Sequence, residues 1–208
     1  MTRGPYLLGT EVGGETMSKI LIAYGTSEGQ TAKIAEQLAG FIRAQGHDAF
    51  PVDISSEAPA PAGYHAVVVG ASVHKGKHQR WVVDYVRRNR PALEHLPSAF
   101  FSVSLAIADG TQKGRLEAER YVETFLQETG WYPEKVGLFA GALVYTKYNF
   151  LLRWVMRWIA RSKGSRDLDT RRDYVYTDMA AVQRFAVEFL TSVAPAEGQI
   201  AVAAERMS

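Results

Sequence analysis

Apolar residues fall along this chain in two alternating rhythms. Short unbroken runs bounded by turn residues occur at residues 19–24 (KILIAY), 65–70 (HAVVVG), 98–105 and 136–144 (VGLFAGALV), and residues 48–54 alternate apolar with polar. Such runs predict strands, and the continuous ones suit strands buried on both faces of a parallel sheet. Between them the spacing changes to three and four. Ile34, Ala35, Leu38, Phe41 and Ile42 predict a helix over 30–45, with Gly46 as its stop. Trp81, Val82, Tyr85 and Val86 predict a buried face on a helix over 78–90, closed by Pro91. Tyr121, Val122, Phe125 and Leu126 mark a third helix over 116–129, and residues 180–193 a last one.

Strands alternating with helices imply right-handed crossovers and a parallel sheet covered on both faces. Five strands on this length suit an α/β fold of the flavodoxin-like kind: a five-stranded parallel sheet in the order 2-1-3-4-5. Its ligand crevice lies beyond the carboxyl ends of the strands. The domain is expected over 18–193. Residues 1–17 read as a flexible N-terminal extension, with Met17 a candidate natural start, and 194–208 as a C-terminal tail. Residues 145–178 are too many for an ordinary loop and form a long insert around strand five.

Composition narrows the chemistry. A chain of 208 residues that is 47% hydrophobic and 22% charged is not disordered as a whole. It has no cysteine, which excludes a disulfide scaffold, a thiolate metal site, an iron–sulfur cluster and a cysteine nucleophile; no metal site is expected. No apolar run is long enough to span a bilayer or to serve as a secretory signal, so the expected location is the cytoplasm.

The first strand-to-helix turn is the most informative segment. Thr26, Ser27, Glu28, Gly29, Gln30 and Thr31 place three hydroxyls and a glycine where the unpaired N–H groups of a helix begin. Those groups and the helix dipole favour an anion, and the absence of Lys and Arg from the turn suits a monophosphate held by dipoles. Neither a Walker loop nor G-x-G-x-x-G is present. A plain helix cap is the simpler reading of Thr26 or Ser27. Gly25 to Gly29 also matches the G-x-S-x-G nucleophile elbow, which needs an acid and then a histidine downstream. The last histidine is His95 and only one strand precedes the serine, so a hydrolase is disfavoured. A phospho-receiver is disfavoured too, because the third run ends in Gly70 rather than an aspartate. Loops 70–78 and 102–110 should flank the same crevice, giving a phosphate anchor beside two walls of small residues, as flavin mononucleotide (FMN) requires.

The segments SKILIAYGTSEGQTAKIAEQLA, VVVGASVHKGKHQ, SAFFSVSLA, GLFAGALVYTKY and DLDTRRDYVYTDMAAVQRFA together resemble the flavodoxin-like menaquinone-dependent protoporphyrinogen IX dehydrogenases (oxidases) of bacterial haem synthesis. The resemblance covers about residues 18–190. It implies an FMN enzyme that oxidises protoporphyrinogen IX to protoporphyrin IX and passes the electrons to menaquinone or another membrane quinone. Carried over by position, it implies phosphate contacts at Thr26, Ser27, Glu28 (through its backbone), Gly29, Gln30 and Thr31. Ring contacts fall on Ser72, Val73, His74 and Gly76, and on Ser104, Leu105 and Ala106. The second loop departs from the family pattern: its aromatic-rich stretch is here His74-Lys75-Gly76-Lys77-His78, so no stacking residue is named. These histidines read as solvated. No side-chain acid or base is assigned, since the flavin carries the chemistry. A flavodoxin-type electron carrier, an NAD(P)H:quinone reductase and a flavin-free interaction module remain as alternatives.

The insert carries its own pattern. Arg153, Arg157 and Arg161 recur every four residues, with Trp154 and Trp158 among the apolar residues between them. From Lys147 to Arg172 eight basic residues face two acidic ones, a local +6 that leaves the remainder of the chain at −4. Three readings fit: a docked helix with solvated arginines, an interfacial helix on anionic lipid at the inner face of the cell membrane, or a lid that receives substrate propionates. Nucleic acid is not an expected partner, because the basic stretch is filled with large apolar residues.

Overall fold

The computed structural model describes residues 17–56, 58–143, 174–175 and 177–193. Its centre is a sheet of five parallel strands: β1 (Lys19–Gly25), β2 (Asp48–Asp53), β3 (Ala66–His74), β5 (Ser98–Ser104) and β6 (Lys135–Ala140). Their order is β2-β1-β3-β5-β6, the expected 2-1-3-4-5, and a short β4 (Lys77–His78) folds back on β3. Helices α1 (Gln30–Ala44), α2 (Arg80–His95), α3 (Gln112–Thr129) and α4 (Met179–Leu190) cover it. The period of two along each strand separates the core into two layers. Ile20, Ile22, Val68, Phe101 and Phe139 pack on Ile34, Leu38 and Ile42 of α1 and Phe185 and Phe189 of α4. Leu21, Ala23, Val67, Val69 and Phe100 face the other way, onto Val82, Tyr85 and Val86 of α2 and Val122 and Phe125 of α3.

Close packing dictates one glycine at the centre of this sheet. A Cβ on Gly70 would lie 2.1 Å from Cζ of Phe101, whose ring is fully buried and has nowhere to retreat.

Several boundaries differ from those the sequence suggests. Helix α2 runs on through Pro91, and Trp81 is 38% exposed rather than part of the buried face. Pro91 and Arg87, whose carbonyl loses its helical partner, lie on the exposed side, and the burial of Leu93 one half-turn later holds the final turn in place. Helix α3 starts four residues early because Thr111 caps it, accepting from the N–H of Gly114 at 3.0 Å. The fifth run is divided at Gly141, whose N–H donates to the Ser104 carbonyl. Beyond it, β7 (Ala142–Leu143) leaves the main sheet and pairs antiparallel with β8 (Tyr174–Val175).

The second loop is mostly strand. β3 continues to His74, and the chain reverses through Lys75 (φ 50°) and Gly76 (φ 79°) into β4, the two-residue turn whose twist matches that of the flanking strands. His78, expected in solvent, is turned inward by this hairpin. Its Nε2 lies 2.9 Å from Ser102 Oγ, and its ring meets Phe100 and Phe125 edge-on at 5.5 and 5.0 Å. Burial among these rings lowers its pKa from 6.5 to about 4. The unfolded chain therefore takes up a proton that the fold refuses between those two values. Stability is full above pH 6.5, falls as the pH drops, and levels off below 4. Urea titrations across this range should show the wild type losing about 3 kcal/mol more than His78→Phe, which has no group to titrate there. Parallel pH profiles for the two proteins would contradict this.

Candidate functional site

The register of the sheet brings the three loops together. Gly25 of β1 pairs with Ala71 of β3, and Ala71 and Ser72 pair with Ser102 and Val103 of β5. The first turn, the β3–β4 hairpin and the segment after Ser104 therefore emerge side by side at the carboxyl edge of the sheet.

In the first turn, Gly29 adopts φ 82°, a conformation that side chains with a Cβ rarely take, and it immediately precedes α1. Thr26 Oγ1 accepts from the Gly29 N–H at 2.9 Å and so closes the turn. It does not reach the helix: among the described residues no side chain is bonded to the first amides of α1. Thr26 is thus not the N-cap of α1, and the first helical N–H groups have no side-chain partner among the described residues. Ser27 and Glu28 are exposed. Gln30 turns its side chain away from the loop, donating through Nε2 to Thr177 Oγ1 at 2.9 Å, and Thr177 in turn donates to the Ala140 carbonyl. The Oε1 of Gln30 is buried without a hydrogen-bond partner. Thr31 is fully buried and its hydroxyl has no hydrogen-bond partner.

Ser72 and Val73 lie half-buried on the hairpin, while His74 and Gly76 are exposed at its tip. In the third loop Ser104 is buried with an unpartnered hydroxyl, and a 3₁₀ turn over Leu105–Asp109 follows it. Leu105 is 41% exposed and Ala106 half-buried. Arg153, Trp154, Arg157, Trp158 and Arg161 lie outside the described residues.

Two residues that sequence reasoning passed over hold these loops in place. Gln79, 6% exposed, accepts from the Ser72 N–H at 3.1 Å through Oε1. Its Nε2 donates to Ser27 Oγ at 3.2 Å and to Ser72 Oγ. The packing that puts it there is tight, since a Cβ on Gly25 would lie 2.4 Å from Val82 Cγ2 and 3.0 Å from Trp81 Nε1. Thr177 is the second, joining α1 to the end of β6 across 147 residues of chain. Gln79 sits in a polar run with no periodicity to mark it, and Thr177 is distinguished only by a partner far away in sequence.

A shallow groove of about 1030 Å³ runs between α3 and the outer side of β6, past Val122, Leu126, Tyr132 and Val136. None of the sequence-predicted site residues among the described ones lines it. The three-loop cluster instead offers amide N–H groups, hydroxyls and one carboxamide. With two buried hydroxyls unpartnered, this donor set fits a phosphate attached to a polar ring system.

Comparison with known proteins agrees with this arrangement. Residues 21–169 match the family model described as a flavodoxin domain. The chain is 37% identical over 176 residues to a protoporphyrinogen IX dehydrogenase [quinone] of Leishmania major, covering 82% of this chain and 74% of that protein. It is 34% identical over 171 residues to the protein of the same name from Escherichia coli strain K12, covering 82% and 93%. Among solved structures, oxidised flavodoxin 1 from Bacillus cereus aligns with a TM-score of 0.50 at 17% identity, over 85% of this chain and all of its own. A short-chain flavodoxin associated with a PDU bacterial microcompartment aligns with a TM-score of 0.52 at 12% identity, over 86% of this chain and all of its own. With the flavodoxin order in its sheet and relatives matching along most of its length, the chain belongs to the flavodoxin-domain family of quinone-linked protoporphyrinogen IX dehydrogenases, and it is an oxidoreductase.

Proposed function

We propose that this chain binds FMN at the carboxyl ends of β1, β3 and β5, oxidises protoporphyrinogen IX to protoporphyrin IX, and delivers the electrons to a membrane quinone. The observation that carries the reading is that relatives named for this reaction match 82% of the chain at 34–37% identity. The site geometry supports it. The uncapped first turn of α1, with Thr26, Ser27, Gly29 and Thr31, would hold the phosphate. Ser72, Val73, His74 and Gly76 on one side, and Ser104, Leu105 and Ala106 on the other, would bound the ring.

Bound FMN would supply the acceptor for hydrogen leaving the substrate and the donor for the quinone. The chain contributes position and shielding. The turn closed by Thr26 and Gly29 presents fixed N–H dipoles, which need no reorganisation to meet a phosphate. The hairpin locked by Lys75 and Gly76 fixes the height of the second wall. His78 is neutral at physiological pH and packed against Phe100 and Phe125, so it holds the wall rather than moving a proton.

Among the described residues no helix is long and apolar enough to cross a membrane. Quinones reside in lipid, and the arginines and tryptophans of the insert are what a lipid-facing segment requires. Arg153, Trp154, Arg157, Trp158 and Arg161 accordingly form the contact with anionic membrane in this reading.

Three measurements test the proposal. The purified yellow protein should convert protoporphyrinogen IX with menaquinone as acceptor. Rapid flavin reduction by NADPH, with none by protoporphyrinogen, would assign it to NAD(P)H:quinone reductases instead. Replacing Thr26, Ser27 and Thr31 together by alanine should weaken FMN binding about 100-fold in fluorescence titrations, given roughly 1 kcal/mol for each hydrogen bond lost. Undiminished affinity in a folded variant would place the phosphate elsewhere. In flotation assays the protein should rise with anionic vesicles, and Arg153→Gln, Arg157→Gln and Arg161→Gln combined should leave it at the bottom; equal recovery of both would remove the lipid contact.

A further inference from the structure

Gln79 does more than fasten two loops, because the direction of its hydrogen bonds is fixed. The Ser72 backbone N–H can only donate, so the Gln79 atom 3.1 Å from it is the carbonyl oxygen. The other end is therefore the NH₂ group, which has two hydrogens and spends them on Ser27 Oγ and Ser72 Oγ. Each serine oxygen accepts from Gln79, so neither serine can direct its own hydrogen at that amide. Both hydroxyl hydrogens are left for another acceptor. Ser27 is exposed and Ser72 half-exposed, so such an acceptor can reach them from the crevice. The two serines belong to different loops, one after β1 and one on β3, and a single buried carboxamide sets the polarity of both.

We infer that Gln79 acts as a positioning residue that makes Ser27 and Ser72 hydrogen-bond donors toward the ligand, Ser72 toward the ring and Ser27 toward the phosphate, and so selects through Ser27 a flavin bearing a phosphate over one without it. The inference rests on the FMN reading above and adds to it the residue that sets the specificity. A carboxylate at position 79 would have the same size and the opposite effect. It can only accept, so it would draw the serine hydrogens inward and leave oxygen lone pairs facing the ligand.

The test compares FMN with riboflavin, which share the ring and differ in the phosphate. Gln79→Glu should lower the ratio of FMN to riboflavin affinity about 30-fold through Ser27, while the change at Ser72 weakens both flavins alike and cancels from the ratio. In a Ser27→Ala, Ser72→Ala background there is no hydroxyl to reorient, and adding Gln79→Glu should lower the ratio only about threefold. An unchanged ratio in Gln79→Glu overturns the inference. So does an equal fall in both backgrounds, which would mean that the new charge acts directly on the phosphate. Should Gln79→Glu fail to fold by circular dichroism, Gln79→Met decides: the ratio should fall about fivefold as the serines lose their orientation, and no fall overturns the inference. Wild-type protein that binds neither flavin overturns the FMN reading itself, and a wild type that binds both while Gln79→Glu keeps its selectivity overturns only the role of Gln79.

Discussion

The constraint on which the whole site depends is that all five strands of the main sheet run the same way. A parallel sheet buried on both faces delivers every strand-to-helix loop of β1, β3 and β5 to one edge, in register with its neighbours. Residues as distant in sequence as Ser27, Ser72 and Ser104 thus come to share one crevice. The core that enforces this is divided by the sheet into two aromatic-rich layers, with Phe101 against Phe139 on one side and Phe100 stacked on Phe125 at 4.4 Å on the other. Slipping one strand by one residue would turn its core side chains to the opposite face and carry its loop out of line with the other two.

Within that frame the first turn works by leaving bonds unmade. Thr26 closes the loop on Gly29 and leaves the helix amides alone, and Gln30 turns inward to Thr177 instead of outward to the loop. Glycine at position 29 is what permits the tight approach, since a residue with a Cβ would be strained at φ 82°. Residues 26–31 carry no lysine or arginine, so within the turn itself only peptide dipoles supply positive potential.

Much of this was legible beforehand, and the misses have specific causes. Strand order, the two-faced cover of helices and the first turn followed from apolar runs and from one cluster of hydroxyls. Pro91 misled because a local helix breaker was overruled by the burial of Leu93, a tertiary effect. His78 misled because a polar run conceals which of its members a two-residue turn will rotate inward; Lys75 at positive φ is invisible to composition. Gln79 and Thr177 carried no mark at all, since a hydrogen bond spanning 52 or 147 residues leaves no periodic trace.

The antiparallel pairing of Ala142 with Val175 and Leu143 with Tyr174 has a consequence for how this fold can change. The two ends of the intervening stretch enter and leave as a clasped stem, and Thr177 pins the outgoing side to the Ala140 carbonyl. Anything grafted between those ends inherits a fixed mounting while the flavodoxin body stays as it was. A lineage could therefore lengthen, shorten or recharge the sequence between those ends without renegotiating the architecture of the sheet.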